Sequence, residues 1–398
     1  MKAPTPRHLR KYVARCLRLK WYLQAPGDGR LKPRIPASTL LWAMLLGQIL
    51  REGSFAAVEA LAGSSARAAL GLSRTFGDDA LSYFVERADP NVTRKAAAAA
   101  LRQAKRNKAF DGSRFIGLAL DGTRGGNSEE KICSLCRPTK QKKEEIVGYH
   151  HSLVMISVVG TGLSLPIDVE PYGPGDSEYA AGQRVLPRAI HNLGPRFADY
   201  VVADAKFATA PFLKVAAKLG IPVVARLNHN LPELFAAAQK RFGRQPPHAV
   251  FRHGRDRVEV WDADDFDTWD ALDCWETVRV VRYRQHKPNG TVVEASWLTN
   301  FARCRVSARE IFRMAKSRWE IENQGFNDAK NRHDLAHVCH HETNSLLLVW
   351  LILALALTIE RLYRLRYLHR GNHPVRSAIE LVRLLRGCLR VVIRRDSS

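Results

Sequence analysis

A chain of 398 residues with 46% hydrophobic and 25% charged side chains is long enough for two or three domains and too apolar to be wholly disordered. Its 62 Lys and Arg outnumber its 39 Asp and Glu by 23, which points to a polyanionic partner, either nucleic acid or an anionic membrane. Seven cysteines in this length exclude a disulfide scaffold and suit a reducing compartment, and the basic N-terminus has no uninterrupted apolar run of the kind a secretory signal needs.

Residues 1–35 carry ten Lys or Arg, including Arg10, Lys11, Arg15 and Arg18, against the single acid Asp28; residues 361–395 carry ten Arg against Glu380. Leu, Tyr and Val recur at helical intervals in both stretches, which predicts basic amphipathic helices rather than loose tails. Residues 36–110 are expected to be all-helical. Ser38 would cap a run to Arg51, Gly63 and Gly71 would punctuate shorter pieces, Asp78-Asp79 would open another helix, and the Ala-rich stretch Thr93 to Asn107 has very high helix propensity. The series suits a helix-turn-helix-like DNA-binding module or a plain helical bundle, and both stay open.

At Phe115 the pattern changes. Phe115 to Leu120, Ser152 to Val159 and Leu163 to Val169 are predicted strands, followed by a helix capped at Asp176 with Glu178 beside it. Tyr200 to Ala203 is a fourth strand, Pro211 to Leu219 a helix, and Pro222 to Arg226 a fifth strand. This order makes a mixed α/β sheet, not a doubly wound one. No Gly-x-Gly-x-x-Gly follows the first strand, and there is no Gly-Lys-Ser/Thr phosphate loop.

Residues 229–300 are expected to be a β-rich insertion, with a hairpin that turns at Pro288-Asn289-Gly290 through a type I′ turn. The nine acids of residues 256–276 predict a solvated face or a contact for a basic surface. Ser307 then caps a long helix through Glu322 towards Lys330. The apolar run Leu346 to Leu357, hemmed by Glu342, Asn344, Glu360 and Arg361, is short of the about 20 residues a membrane span needs and is expected to be a buried central helix.

Three acids stand where chemistry is expected. Asp121 ends the first predicted strand (LALDGT), Asp204 ends the fourth (VVADAK), and Glu322 lies on the late helix (RWEIEN). Carboxylates at the ends of neighbouring strands converge at one edge of a sheet, and a helix packed there can add a third. Such hard oxygen donors suit Mg²⁺ or Mn²⁺ better than zinc, and two ions so held can drive in-line phosphodiester displacement.

LALDGT, YHHSLVMISVVG with LPIDVE, VVADAKFATAPFL and RWEIENQGFNDAKNR together resemble the DDE-type transposases of bacterial insertion sequences, over about residues 115–360. The resemblance implies a ribonuclease-H-like α/β core interrupted by a β-rich insertion before the catalytic glutamate. It makes Asp121, Asp204 and Glu322 the catalytic, metal-binding triad. The subgroup's late helix carries Tyr, Arg, Glu and Lys with two, three and six residues between them. Arg318 stands in the Arg position and is expected to contact phosphate, but Ala315 holds the Tyr position and Ala329 the Lys position; Lys330, one residue on, is expected to contact DNA in its place only where the helix bulges, and otherwise to point elsewhere. Trp319 and Phe326 are expected to pack in the core.

Cys133 and Cys136 form one Cys-x-x-Cys, a zinc candidate only if His150, His151 or the cluster His337, Cys339, His340 and His341 completes it; two free thiols are the alternative. Trp297 could stack on an extruded base or pack in the core. The expected organisation is a helical basic DNA-binding domain (1–110), the ribonuclease-H-like core (111–228 and 301–345) around the insertion (229–300), and a basic helical C-terminal region (346–398). The expected function is transposition. A dimer would bind the element's terminal inverted repeats as double-stranded DNA, with Mg²⁺-dependent end cleavage and strand transfer, in the bacterial cytoplasm on the nucleoid. A structure-specific nuclease of the same fold and a non-catalytic transposase-derived DNA-binding protein are the alternatives.

Overall fold

The computed structural model describes residues 4–141, 145–269, 271–368, 375 and 377–395. Of the residues in the expected basic ends and acidic stretch, Lys2, Asp270, Arg370 and Arg376 lie outside that set.

The N-terminal charge is organised as expected. Helix α1 (Pro6–Lys11) is capped by Thr5, runs into a π-helical turn (Tyr12–Cys16) and is followed by α2 (Lys20–Gln24). Leu9, Tyr12, Val13, Leu17 and Leu19 are buried, while Arg7, Arg10, Lys11, Arg15 and Arg18 are exposed. Helices α3 (Ala37–Leu50), α4 (Phe55–Gly63), α5 (Arg67–Leu70), α6 (Asp78–Arg87) and α7 (Pro90–Arg106) follow. Ser38 does not cap α3, which starts straight after Pro36 with no side-chain cap. Helix α7 begins earlier than its alanines suggest, because Asp89 accepts from the Asn91 amide and Pro90 takes the first helical position.

Strands β1 (Gly117–Ser128), β2 (Arg137–Lys140), β3 (Ile146–Val159) and β4 (Leu165–Tyr172) lead to α8 (Glu178–Leu193), then β5 (Tyr200–Ala203), α9 (Ala210–Lys218) and β6 (Val223–Leu227). Neighbouring strands in the order β4-β3-β1-β5-β6, with β1, β5 and β6 parallel and β3 antiparallel to β1 and β4, form the expected ribonuclease-H-like core. Two sequence expectations change here. Asp121 is not the end of β1, which continues to Ser128 along β3; it lies where β1 outruns β5. Ser177, not Asp176, caps α8 by accepting from the Ala180 amide, and Asp176 pairs instead with Arg184 at 2.6 Å.

Residues 229–300 contain a helix as well as strands: α10 (Pro232–Gly243), then β7 (Ala249–His253), β8 (Asp256–Phe266), β9 (Val278–His286) and β10 (Val292–Thr299). These strands are not a separate layer. β10 pairs antiparallel with β6, and β9, β8 and β7 extend the same sheet outward. The hairpin turn is not type I′. Gly290 N bonds Lys287 O at 3.0 Å, Lys287 N bonds Thr291 O at 2.9 Å, and only Gly290, at φ +81°, is left-handed. An Asn289-Gly290 type I′ turn would need the backbone N–H of Pro288 to close its two-residue loop; proline has none, so Lys287 closes a three-residue loop instead.

Side chains alternate across the sheet. Leu118, Leu120, Val154, Ile156 and Val158 join the core formed with the N-terminal helices and α8, whereas Ala119, Leu153, Met155 and Val159 face a second core with α11 (Ala308–Ser317). Beyond α11 come a second π-helical segment (Ile321–Phe326), α12 (Asn327–Arg332), α13 (Thr343–Tyr363) and α14 (Ala378–Arg395). Helix α13 supplies Ile352, Leu355 and Ile359 to the first core and Trp350, Leu351 and Leu357 to the second. It is apolar all round because it is covered all round: its most apolar stretch, long enough by length and composition to cross a membrane, is 94% buried in the protein. The N-terminal helices close around it, α7 also packs on β4, and so they do not stand apart as a module.

Candidate active site

The pairing of β1 with β5 ends at Leu120 and Ala203, so Asp121 and Asp204 are the next residues on adjacent parallel strands. Such strands lie about 4.8 Å apart, and residues at matching positions face the same way. Asp204 stands just past the end of β5, so the two acids leave the sheet at the same end of neighbouring strands. Asp204 also caps the short turn Ala205–Phe207, accepting from the Ala205 amide at 2.7 Å.

Arg318 brings in the helix. Its Nη1 donates to Glu322 Oε1 at 2.6 Å, one helical turn along, and to Asp121 Oδ2 at 3.3 Å. The guanidinium is almost fully buried, lies 4.8 Å from the Trp319 ring, and leaves its Nε without a partner. Burial pushes the Asp121 carboxyl up to about 7; Arg318 pulls the other way, while Glu322 and Glu178 push it further up. As they stand, the triad carboxylates do not gather within 4.8 Å of one another. Asp121 and Glu322 share a guanidinium instead.

Sequence reasoning takes Glu178, with Asp176, only as a helix-cap acid and misses its place beside Asp121. Placed on α8 just after its cap, it meets the backbone of Gly122, where any Cβ would collide with its carboxylate. It also holds Lys206 at 3.1 Å, and that ammonium is pushed up first by this bond. Two signals were present, the glycine directly after Asp121 and the acid in the first turn of the following helix. Glu320 belongs to the same helix as Glu322 but faces the β3–β4 turn, where it accepts from the Gly160 amide at 2.9 Å; burial raises it to about 7.

The π-helical segment carries Glu322 and shifts the register after it. A π turn takes up one more residue than an α turn, so a side chain one position later comes round to the same face. Ala329 is buried and Lys330 is not. The Lys330 ammonium is lowered by partial burial and by Arg124 on β1. The opened segment is held by the wholly buried Arg361 of α13, which donates to the Gln324 carbonyl and to Asp328 at 2.9 Å.

Other expected site residues fall elsewhere. Trp297 is 1% exposed in the middle of the sheet, so it is a core residue and not a base-stacking one. Phe326 is buried as expected, but Trp319 is 39% exposed beneath Arg318, which corrects its assignment to the core. Of the acids of 256–276, Asp262 is buried on Arg279, while Asp265 and Asp273 pair with Arg241 and Lys214 on the surface, as a solvated face does. Cys133 and Cys136 do lie together, with His151 and His341. His150 bonds Thr139, His340 pairs with Glu86, and the Cys339 thiol bonds the Gly53 carbonyl.

Residues 117–359, more than half of the chain, match the family model described as the Transposase DDE domain. No curated protein matches the sequence. Among solved structures, the piggyBac transposase synaptic complex with hairpin DNA is similar at 13% identity and a TM-score of 0.45, covering 99% of this chain and 82% of that one. On the strength of the family match, supported by the strand order and the sheet-edge acids, the chain belongs to the DDE transposases.

Proposed function

We propose that this transposase binds the terminal inverted repeats of its element as a dimer and catalyses metal-dependent cleavage at the ends, followed by transfer of the freed 3′-hydroxyl into target DNA. The observation that carries this reading is the register of Asp121 and Asp204 at one sheet edge, with Glu322 reaching Asp121 through Arg318. The donor set fits a hard divalent cation: every candidate ligand is a carboxylate, and a positive charge is already held between two of them. Two Mg²⁺ or Mn²⁺ ions bound by Asp121, Asp204 and Glu322 would activate the attacking hydroxyl and stabilise the leaving oxygen.

The chain's own residues set up the rest. Asp121, poised near neutrality, gives up its proton readily when a cation approaches. Arg318 turns from the carboxylates to the scissile phosphate, and Lys330 with Arg124 grips the phosphate next to it. The exposed face of Arg10, Lys11, Arg15 and Arg18 binds duplex phosphates away from the site.

The reading is tested by an end-cleavage assay with Mg²⁺ or Mn²⁺ beside a gel shift on the same DNA. Replacing Arg10, Lys11, Arg15 and Arg18 together by Gln should flatten the fall of affinity with salt; the slope changes by about 0.9 for each phosphate that is no longer neutralised. An unchanged slope would remove the N-terminal face from the DNA interface. Cleavage without strand-transfer products would favour a nuclease.

A further inference from the structure

The clearest unassigned feature is a sulfur and nitrogen cluster. Cys133 and Cys136 sit in the loop between β1 and β2, His151 is on β3, and His341 lies in the segment between α12 and α13. Their ligand atoms all fall within 4.8 Å of one another. The two Sγ atoms are 3.6 Å apart, far beyond a disulfide bond. His151 Nε2 lies 3.2 Å from Cys133 Sγ and 3.5 Å from Cys136 Sγ.

Four ligands around a tetrahedral zinc, with Zn–S about 2.3 Å and Zn–N about 2.0 Å, stand roughly 3.3 to 3.8 Å apart. The measured separations lie in or just below that range. The far side of His151 is also set for it: Nδ1 is 3.3 Å from the Gly126 carbonyl, which fixes the proton there and leaves the Nε2 lone pair facing both sulfurs. The His341 ring lies tilted by 51° against His151, with ring centroids 5.4 Å apart, and its Nδ1 is buried with no hydrogen-bond partner. One imidazole nitrogen facing two thiols, beside a second with no partner, is poorly satisfied by hydrogen bonds alone.

We propose that Cys133, Cys136, His151 and His341 bind one zinc ion in a closed, structural site. Two thiolates and two imidazoles select zinc over the hard cations that suit the carboxylates, so the two sites do not compete for metal. The ion ties the connection that follows the catalytic helix to the strand that bears Asp121. At this place the backbone of Gly126 already touches Val338 so closely that no Cβ would fit. The zinc thus holds Glu322's helix in place relative to Asp121 without touching DNA or substrate.

The test uses the full-length protein and does not depend on its activity. Elemental analysis should find about one zinc per chain, and exchange for Co²⁺ should give the strong visible bands of a tetrahedral site with two sulfur ligands. Cys133→Ser should lose the metal and sensitise residues 333–342 to protease. Should that variant fail to fold, His341→Cys keeps four ligands: it should retain zinc and move the cobalt spectrum towards three thiolates. Metal-free protein of undiminished stability would overturn the proposal, as would a disulfide between Cys133 and Cys136. A cobalt spectrum unchanged by His341→Cys would overturn His341 as the fourth ligand.

Discussion

Two Asp–Arg pairs, one between strands of the sheet and one between a strand and the late helix, hold their charges in different states. In the extension, Arg279 donates Nε and Nη2 to both oxygens of Asp262 and spends Nη1 on the carbonyls of Phe301 and Val306. Both partners are buried and both are saturated. In the proposed site, Arg318 reaches Asp121 and Glu322 through a single nitrogen, its Nε has no partner, and Asp121 is pushed up to about 7. The residue types match. What differs is whether the charges have been satisfied by the fold or left for something else to satisfy, and the proposed site requires the second state.

The largest effect should come from the unsatisfied cluster. Asp121→Asn, Asp204→Asn and Glu322→Gln should each lower end cleavage by about three orders of magnitude, about 4 kcal/mol in the barrier, while gel-shift affinity is retained. Substantial cleavage by any one variant would remove that residue from the triad. The saturated pair should behave oppositely. Arg279→Ala leaves the buried Asp262 with only the half-buried Arg303 at 3.4 Å and should cost about 3 kcal/mol in urea unfolding, with cleavage per folded molecule unchanged. If activity fell while stability held, the contrast between the two pairs would be wrong.

A third test concerns sign. Asp121 holds its proton more tightly folded, at about 7, than unfolded, at 3.8, so its contribution makes the protein less stable as pH rises between those values and stays level above them. In chelator, Asp121→Asn should therefore melt a few degrees above the parent at pH 8 and match it near pH 4. An equal gap at every pH would show that the carboxylate is not strained. The smallest effect belongs to Asp176→Asn. It loses an exposed pair with Arg184 worth at most about 1 kcal/mol and should cleave at near the parent rate.

Local pattern was enough for much of this protein. Apolar runs that end in Asp located β1 and β5, alternating and helical periods gave a mixed α/β sheet with helices before and after it, and the acids with their flanking motifs gave the transposase resemblance that implied a ribonuclease-H-like core. These are properties of a few consecutive residues, and burial of an apolar strand leaves its own mark in the sequence. Tertiary structure decided the rest. Glu178 reaches the site because α8 packs where Gly122 has no side chain. The π turn that carries Lys330 round persists because Arg361, from another helix, takes up the Gln324 carbonyl. Trp297 is buried because β10 pairs with β6 and so brings it into the second core with Phe312 of α11, and Cys133 meets His341 from a segment far along the chain. Each depends on an approach of distant segments, and the free energy of such an approach is fixed by how whole elements pack, which no local run of residues encodes.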